Sequence, residues 1–113
     1  MKPPRLVKIG PYVYQVKLLS IQSETGVTGL HGGDVLEVLV DTAQAPGAMR
    51  DTVWHELGGH AALSRLGIRG TDPGSPLQSS DDEERLVRGL CTEQLDILRR
   101  NPSLRRYLFE EDR

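Results

Sequence analysis

The chain has 113 residues, a formal net charge of −2 and a single cysteine. That length predicts one domain, 1–113, with a modest core, and the interspersed acids and bases give no electrostatic case for nucleic acid. Cys91 alone excludes a disulfide framework. No run approaches the ~18 apolar residues of a membrane span, and no apolar stretch of signal-peptide kind follows Met1-Lys2-Pro3-Pro4-Arg5, so a cytoplasmic protein is predicted.

In chain order, Leu6, Lys8 and Ile9 lead to the turn signal Gly10-Pro11. Tyr12 to Leu19 follows, rich in β-branched and aromatic residues, and reads as a strand. Gly26 to Gly33 is loop-like, with Gly29-Leu30-His31 able to form a short strand. Asp34 to Asp41 is the strongest strand signal in the chain. Ala45-Pro46-Gly47 opens a helix, with Pro46 suited to its first turn, that should run to about Leu66 and stop at Gly67. Gly67 to Ser79 has no periodicity, and a loop of that length points to function or disorder. A second helix starts near Ser80. The expectation is an α+β domain: two to three N-terminal antiparallel strands, then two helices.

The first helix carries His55-Glu56-Leu57-Gly58-Gly59-His60. Two histidines with a glutamate after the first is an arrangement in which imidazoles hold Zn²⁺ and the carboxylate works on a bound water. The usual spacing is His-Glu-x-x-His; here the second histidine comes one residue late. In a regular helix, residues i and i+5 point about 140° apart and cannot share an ion. A π-bulge, bonded i to i+5, absorbs one residue and restores the shared face. Gly58 and Gly59 tolerate irregular backbone. The apolar ridge Met49, Val53, Leu57, Ala62, Leu66 skips in the same interval, although Ala61 can take the place of Ala62. His55 and His60 are therefore the expected metal ligands and Glu56 the expected general base.

The second helix supplies the third ligand. Ser80-Asp81-Asp82-Glu83 has capping-box spacing, which would turn Glu83 back to the Ser80 amide. Glu84 then heads the stripe Val87, Cys91, Leu95, Leu98, and a carboxylate at the head of an apolar face calls for a cation. Glu84 is the leading candidate and Glu83 the alternative. His31, Tyr12, Tyr14 and Tyr107 are candidates for stabilising an oxyanion. Trp54 is expected to pack under the metal helix and Cys91 to be a buried small hydrophobe. Arg99, Arg100, Arg105 and Arg106, followed by acids, read as a solvated helix end.

Met49 to Leu66 followed by Glu83 to Leu108 resembles the small zincin-type metallopeptidase-like proteins of phages and their bacterial hosts, which resemble ImmA/IrrE-type peptidases. "DTVWHELGGHAAL" is similar to their "tllHElgHal" pattern, and "EERLVRGL…LRRNPSL" to their glutamate-led helix ending in Asn-Pro. The extra glycine departs from that pattern. It resembles instead the His-Glu-x-x-Gly-His motif of dipeptidyl peptidase III-type enzymes, whose later Glu-Glu pair implies Glu84, as the second glutamate, for the metal. These resemblances imply a zinc-dependent peptidase acting on a protein or peptide. A zinc-stabilised phage or prophage binding or structural module without turnover is the other reading.

Overall fold

The computed structural model describes residues 2–19, 29–31 and 36–110. It is an α+β arrangement in which a sheet precedes the helices. Among the described residues the strands are β1 (Leu6–Ile9), β2 (Tyr12–Leu19), β3 (Gly29–His31) and β4 (Glu37–Asp41), in the order β1-β2-β4-β3. β2 follows a period of two: Tyr14 and Val16 are buried while Val13, Gln15 and Lys17 face out, so one face meets the core. Val38 and Val40 of β4 continue that inner face.

The expectation of antiparallel strands is corrected in part. β1 with β2 and β3 with β4 are antiparallel, but β2 and β4 pair in parallel, with Val16 opposite Val38 and Leu18 opposite Val40. β3, the next described strand after β2, lies on the far side of β4 and runs against it. Alternating hydrophobicity reports which face is buried, not strand direction, so the parallel pair left no mark in the sequence. Of the strong strand signal, Glu37 to Asp41 forms β4, Leu36 lies just before it, and Asp34 and Val35 are outside the described residues.

The helical part runs as α1 (Pro46–Trp54), a π-helical stretch (His55–Ala61) and α2 (Ala62–Leu66) on continuously helical backbone. Pro46 occupies the first turn, where its missing N–H costs nothing. Gly67 ends the run in a left-handed conformation (φ 70°), and the amides of Gly67 and Ile68 return to the carbonyls of Ser64 and Leu63, a Schellman stop. Leu57 and Ala61 are buried on the sheet with Tyr14, Val16, Val38 and Val40, and Met49 and Val53 pack at the edge of this cluster. The buried ridge is therefore Met49, Val53, Leu57, Ala61. Ala61, not Ala62, carries it, and Leu66 is exposed, so the expected skip in the ridge is absent although the π stretch is present.

Two more helices complete the described chain: α3 (Ser80–Arg100) and α4 (Pro102–Phe109). α3 lays Glu83, Val87 and Cys91 against the π stretch. Asn101-Pro102 breaks the two apart, since Pro cannot continue the ladder. No helix among the described residues is long and apolar enough to cross a membrane.

Candidate metal centre

The π stretch does what the late histidine requires. His55 and His60 lie five residues apart, yet their Nε2 atoms are 3.1 Å from each other with rings edge to face. Glu84 of α3 closes the group: Oε1 lies 3.0 Å from His55 Nε2 and Oε2 lies 2.8 Å from His60 Nε2. One ligand atom each from His55, Glu56 and His60 also falls within 4.8 Å of the others. Glu84, which touches both imidazoles at 3.0 Å or less, is the closer third donor.

Glu83 is not a cap. The N-cap of α3 is Ser79, one residue earlier than expected, and its hydroxyl accepts from the Asp82 amide at 3.1 Å. That shift turns Glu83 inward, where it is buried and accepts from His60 Nδ1. Its two oxygens are also held by Arg69 Nε at 3.1 Å each and by the Gly70 amide at 2.9 Å. Burial pushes the Glu83 carboxyl up, but the hydrogen bonds from Arg69, His60 and Gly70 outweigh it and leave the group below its ordinary value. An ionised Glu83 fixes the proton on His60 Nδ1 and points the Nε2 lone pair at the site.

Arg69 and Gly70 were not anticipated from the sequence. The only signal was a Gly, Pro and Ser punctuated loop too long to be idle. That loop turns at Asp72, whose carboxylate accepts from the Arg69 amide at 2.8 Å. It presses Gly70 so close to the start of α3 that a Cβ there would meet the Ser79 carbonyl oxygen at 1.9 Å.

The glycines of the motif serve close approach rather than unusual backbone. Neither Gly58 nor Gly59 has positive φ. A Cβ on Gly59 would lie 2.3 Å from Val87 Cγ1 and 3.2 Å from Cys91 Sγ, so Gly59 is where α3 packs tightest. A Cβ on Gly58 would sit 2.6 Å from the Trp54 ring. Trp54 is correspondingly not under the helix: it is partly exposed, folds over Gly58, and its indole N–H donates to Gln94 Oε1 of α3 at 3.3 Å.

Electrostatics suit the arrangement. Burial lowers the His55 pKa, against the pull of Glu84, so a neutral ring with a free lone pair is favoured. Glu56 is buried beside the pair, and desolvation, partly opposed by His60 and reinforced by Glu84, raises its pKa to about 7. That is the range in which a carboxyl can both take and give a proton at neutral pH.

The remaining expected residues are mostly structural. Cys91 is buried, its thiol pushed up by burial. Tyr12 lies beneath the Arg65 guanidinium, 4.5 Å from the ring centre, Tyr14 is in the core, and Tyr107 is exposed on α4. The His31 side chain lies outside the described residues. Arg99 pairs with Asp51 of α1 at 2.7 Å and Arg100 with Asp96 at 3.0 Å, a solvated helix end as expected.

The donor set fits a divalent cation. A tetrahedral zinc with ligands at ~2.0–2.1 Å places ligand atoms ~3.3 Å apart, close to the 3.1, 3.0 and 2.8 Å separations here. Held this close, two imidazole nitrogens and a carboxylate need a cation or a shared proton between them. No family model, no curated protein and no solved structure matches the chain.

Proposed function

We propose that the protein is a zinc-dependent peptidase of zincin type, with His55, His60 and Glu84 as ligands and Glu56 as general base. The observation that carries this reading is the convergence of two imidazole Nε2 atoms, 3.1 Å apart, with the Glu84 carboxylate at 3.0 and 2.8 Å, beside a buried glutamate whose pKa is about 7. Zinc bound there would supply Lewis acidity, acidifying water and polarising a peptide carbonyl. Glu56 takes a proton from the attacking water as the new C–O bond forms, then returns it to the amine as the C–N bond breaks. Glu83, clamped by Arg69 and Gly70, keeps the His60 ring from turning. A purely structural zinc fills its fourth position with protein and needs no base, which favours turnover.

The second reading, a zinc-stabilised binding or structural module of phage or prophage type, is supported by the ligands coming from two elements, His55 and His60 from the motif helix and Glu84 from α3, so that a bound cation would tie the two together. Glu56→Gln separates the two. As a peptidase, the zinc-loaded variant should keep its metal and lose roughly 10²–10⁴-fold in turnover against a peptide library. Wild type and variant equally inert, with zinc bound in both, would favour the module.

A further inference from the structure

α3 carries a second apolar surface that the described residues leave uncovered. At about 100° per residue, Leu86, Leu90 and Ile97 fall within a strip about 40° wide, beside the buried face formed by Val87 and Cys91. Each is large and well exposed, at 41%, 51% and 47%. Within the 21-residue helix, Gly89 stands next to the strip, and a Cβ there would meet nothing within 4 Å. An exposed mid-helix glycine weakens a helix relative to alanine, yet it lets another helix approach closely.

The charges beside the strip say which helix. On the flank away from the core, the same rotation places Asp82 and Arg85 toward the start of α3 and Asp96 and Arg100 toward its end. Among the described residues Arg85 has no ion-pair partner, while Arg100 pairs only with exposed Asp96. A twofold axis crossing α3 near residue 91 sets two copies antiparallel and brings the same flank of each together. Leu86 then meets Ile97 of the second copy, Arg85 meets Asp96, Asp82 meets Arg100, and Glu93 finds the space left by Gly89. Each of these pairings sums to nearly the same number, so one register satisfies all of them. Opposed helix dipoles add to the match. A parallel arrangement would instead turn this charged flank toward the partner's core-side flank, where none of these pairings can form.

We propose that α3 is a homodimer interface, a second copy of this chain packing antiparallel over Leu86, Leu90 and Ile97. The strip lies on the other flank of α3 from Glu84, so the interface leaves the metal centre free. It does not depend on the peptidase reading.

Sedimentation equilibrium of the full chain across the micromolar range tests this. Wild type should be dimeric, and Leu90→Glu, a change at an exposed position, should weaken association roughly tenfold or more while the far-ultraviolet circular dichroism stays unchanged. Arg85→Asp alone and Asp96→Arg alone should each weaken the dimer. The double exchange should restore it, because only a second copy in this register gains both reversals at once. A monomer at every concentration would overturn the proposal and leave the strip to a different protein. A dimer indifferent to Leu90→Glu, or a double exchange no better than its singles, would overturn it too.

Discussion

Glu83 and Glu84 are neighbours in sequence with the same side chain, and a one-residue shift of the helix cap separates their chemistry. Glu84 points at both Nε2 atoms; Glu83 turns under His60 to Nδ1. Glu84→Gln should therefore remove a ligand and most of the zinc affinity while costing the metal-free fold little, since its side chain is half exposed. Glu83→Gln should keep all three ligands but weaken zinc about 10–100-fold, and should also lose about 1–3 kcal/mol of stability by unpairing Arg69 and Gly70. Competition with a chromophoric chelator and urea unfolding give the two readouts; the opposite pattern would reverse the two roles. The sequence supported Glu84 through its place in the apolar stripe, but the capping box it offered begins at Ser80, whereas the structure caps the helix at Ser79. Only packing of the Arg69 loop decides between them. Glu56 adds a pH dependence. Its folded pKa, about 7, lies above its ordinary value of 4.5 because of burial, so the folded state holds the proton more tightly. Its contribution to metal-free stability is then complete below about pH 4.5 and is lost as pH rises through about 7, on the order of 3 kcal/mol. In chelator, urea midpoints should fall from pH 5 to pH 8 in wild type, and Glu56→Gln should flatten that fall. An unchanged slope in the variant would mean that Glu56 is not the group responsible.

At the scale of elements, the spacing of two histidines was enough to anticipate the π stretch, because five residues on a regular helix cannot share a face. The accompanying ridge argument did not hold. A π turn takes about 4.4 residues, so positions four and five apart straddle the same direction, and Ala61 could reach the sheet without a skipped step. The glycines were legible as special, but for backbone reasons that the structure replaces with contact: Gly59 lets Val87 in, and Gly58 lies under Trp54. These two contacts differ in what can yield. Val87 is buried and fixed in a packed seam, whereas Trp54 lies partly exposed and can swing away. Gly59→Ala should thus destabilise by about 1–3 kcal/mol, the cost of overpacking, and Val87→Ala in the same chain should return part of it. Gly58→Ala should cost less. Thermal denaturation of the three variants beside wild type is sufficient; equal losses at 58 and 59, or no rescue by Val87→Ala, would show that the seam is not where the helices meet most tightly.

For the whole molecule, the α+β order was readable from hydrophobic periodicity, while the β1-β2-β4-β3 order was not, because pairing is a property of tertiary contacts between segments far apart in the chain. The same distinction governs how the two halves are held together. The sheet and the motif helix form one cluster of buried apolar side chains, and α3 joins it through a thin seam: Val87 and Cys91 against Gly59, Glu83 to His60 and Arg69, Arg99 to Asp51, and Trp54 to Gln94. Arg99–Asp51 is exposed and worth little, so among the described residues the docking of this 21-residue helix rests on the remaining contacts of the seam. A cation ligated by His55 and His60 on one side and Glu84 on the other would cross-link this seam, since those ligands come together only in the folded chain. Zinc at 1,000 times its dissociation constant should then add about 4 kcal/mol, or roughly 10–20 °C in Tm for a chain of this size. His60→Ala should remove the gain while Glu56→Gln preserves it, which separates ligation from general stabilisation by zinc. Scanning calorimetry of the three proteins with chelator and with excess zinc makes the comparison. A wild-type Tm that does not move would refute the metal centre. A gain that survives His60→Ala would place the zinc elsewhere on the molecule.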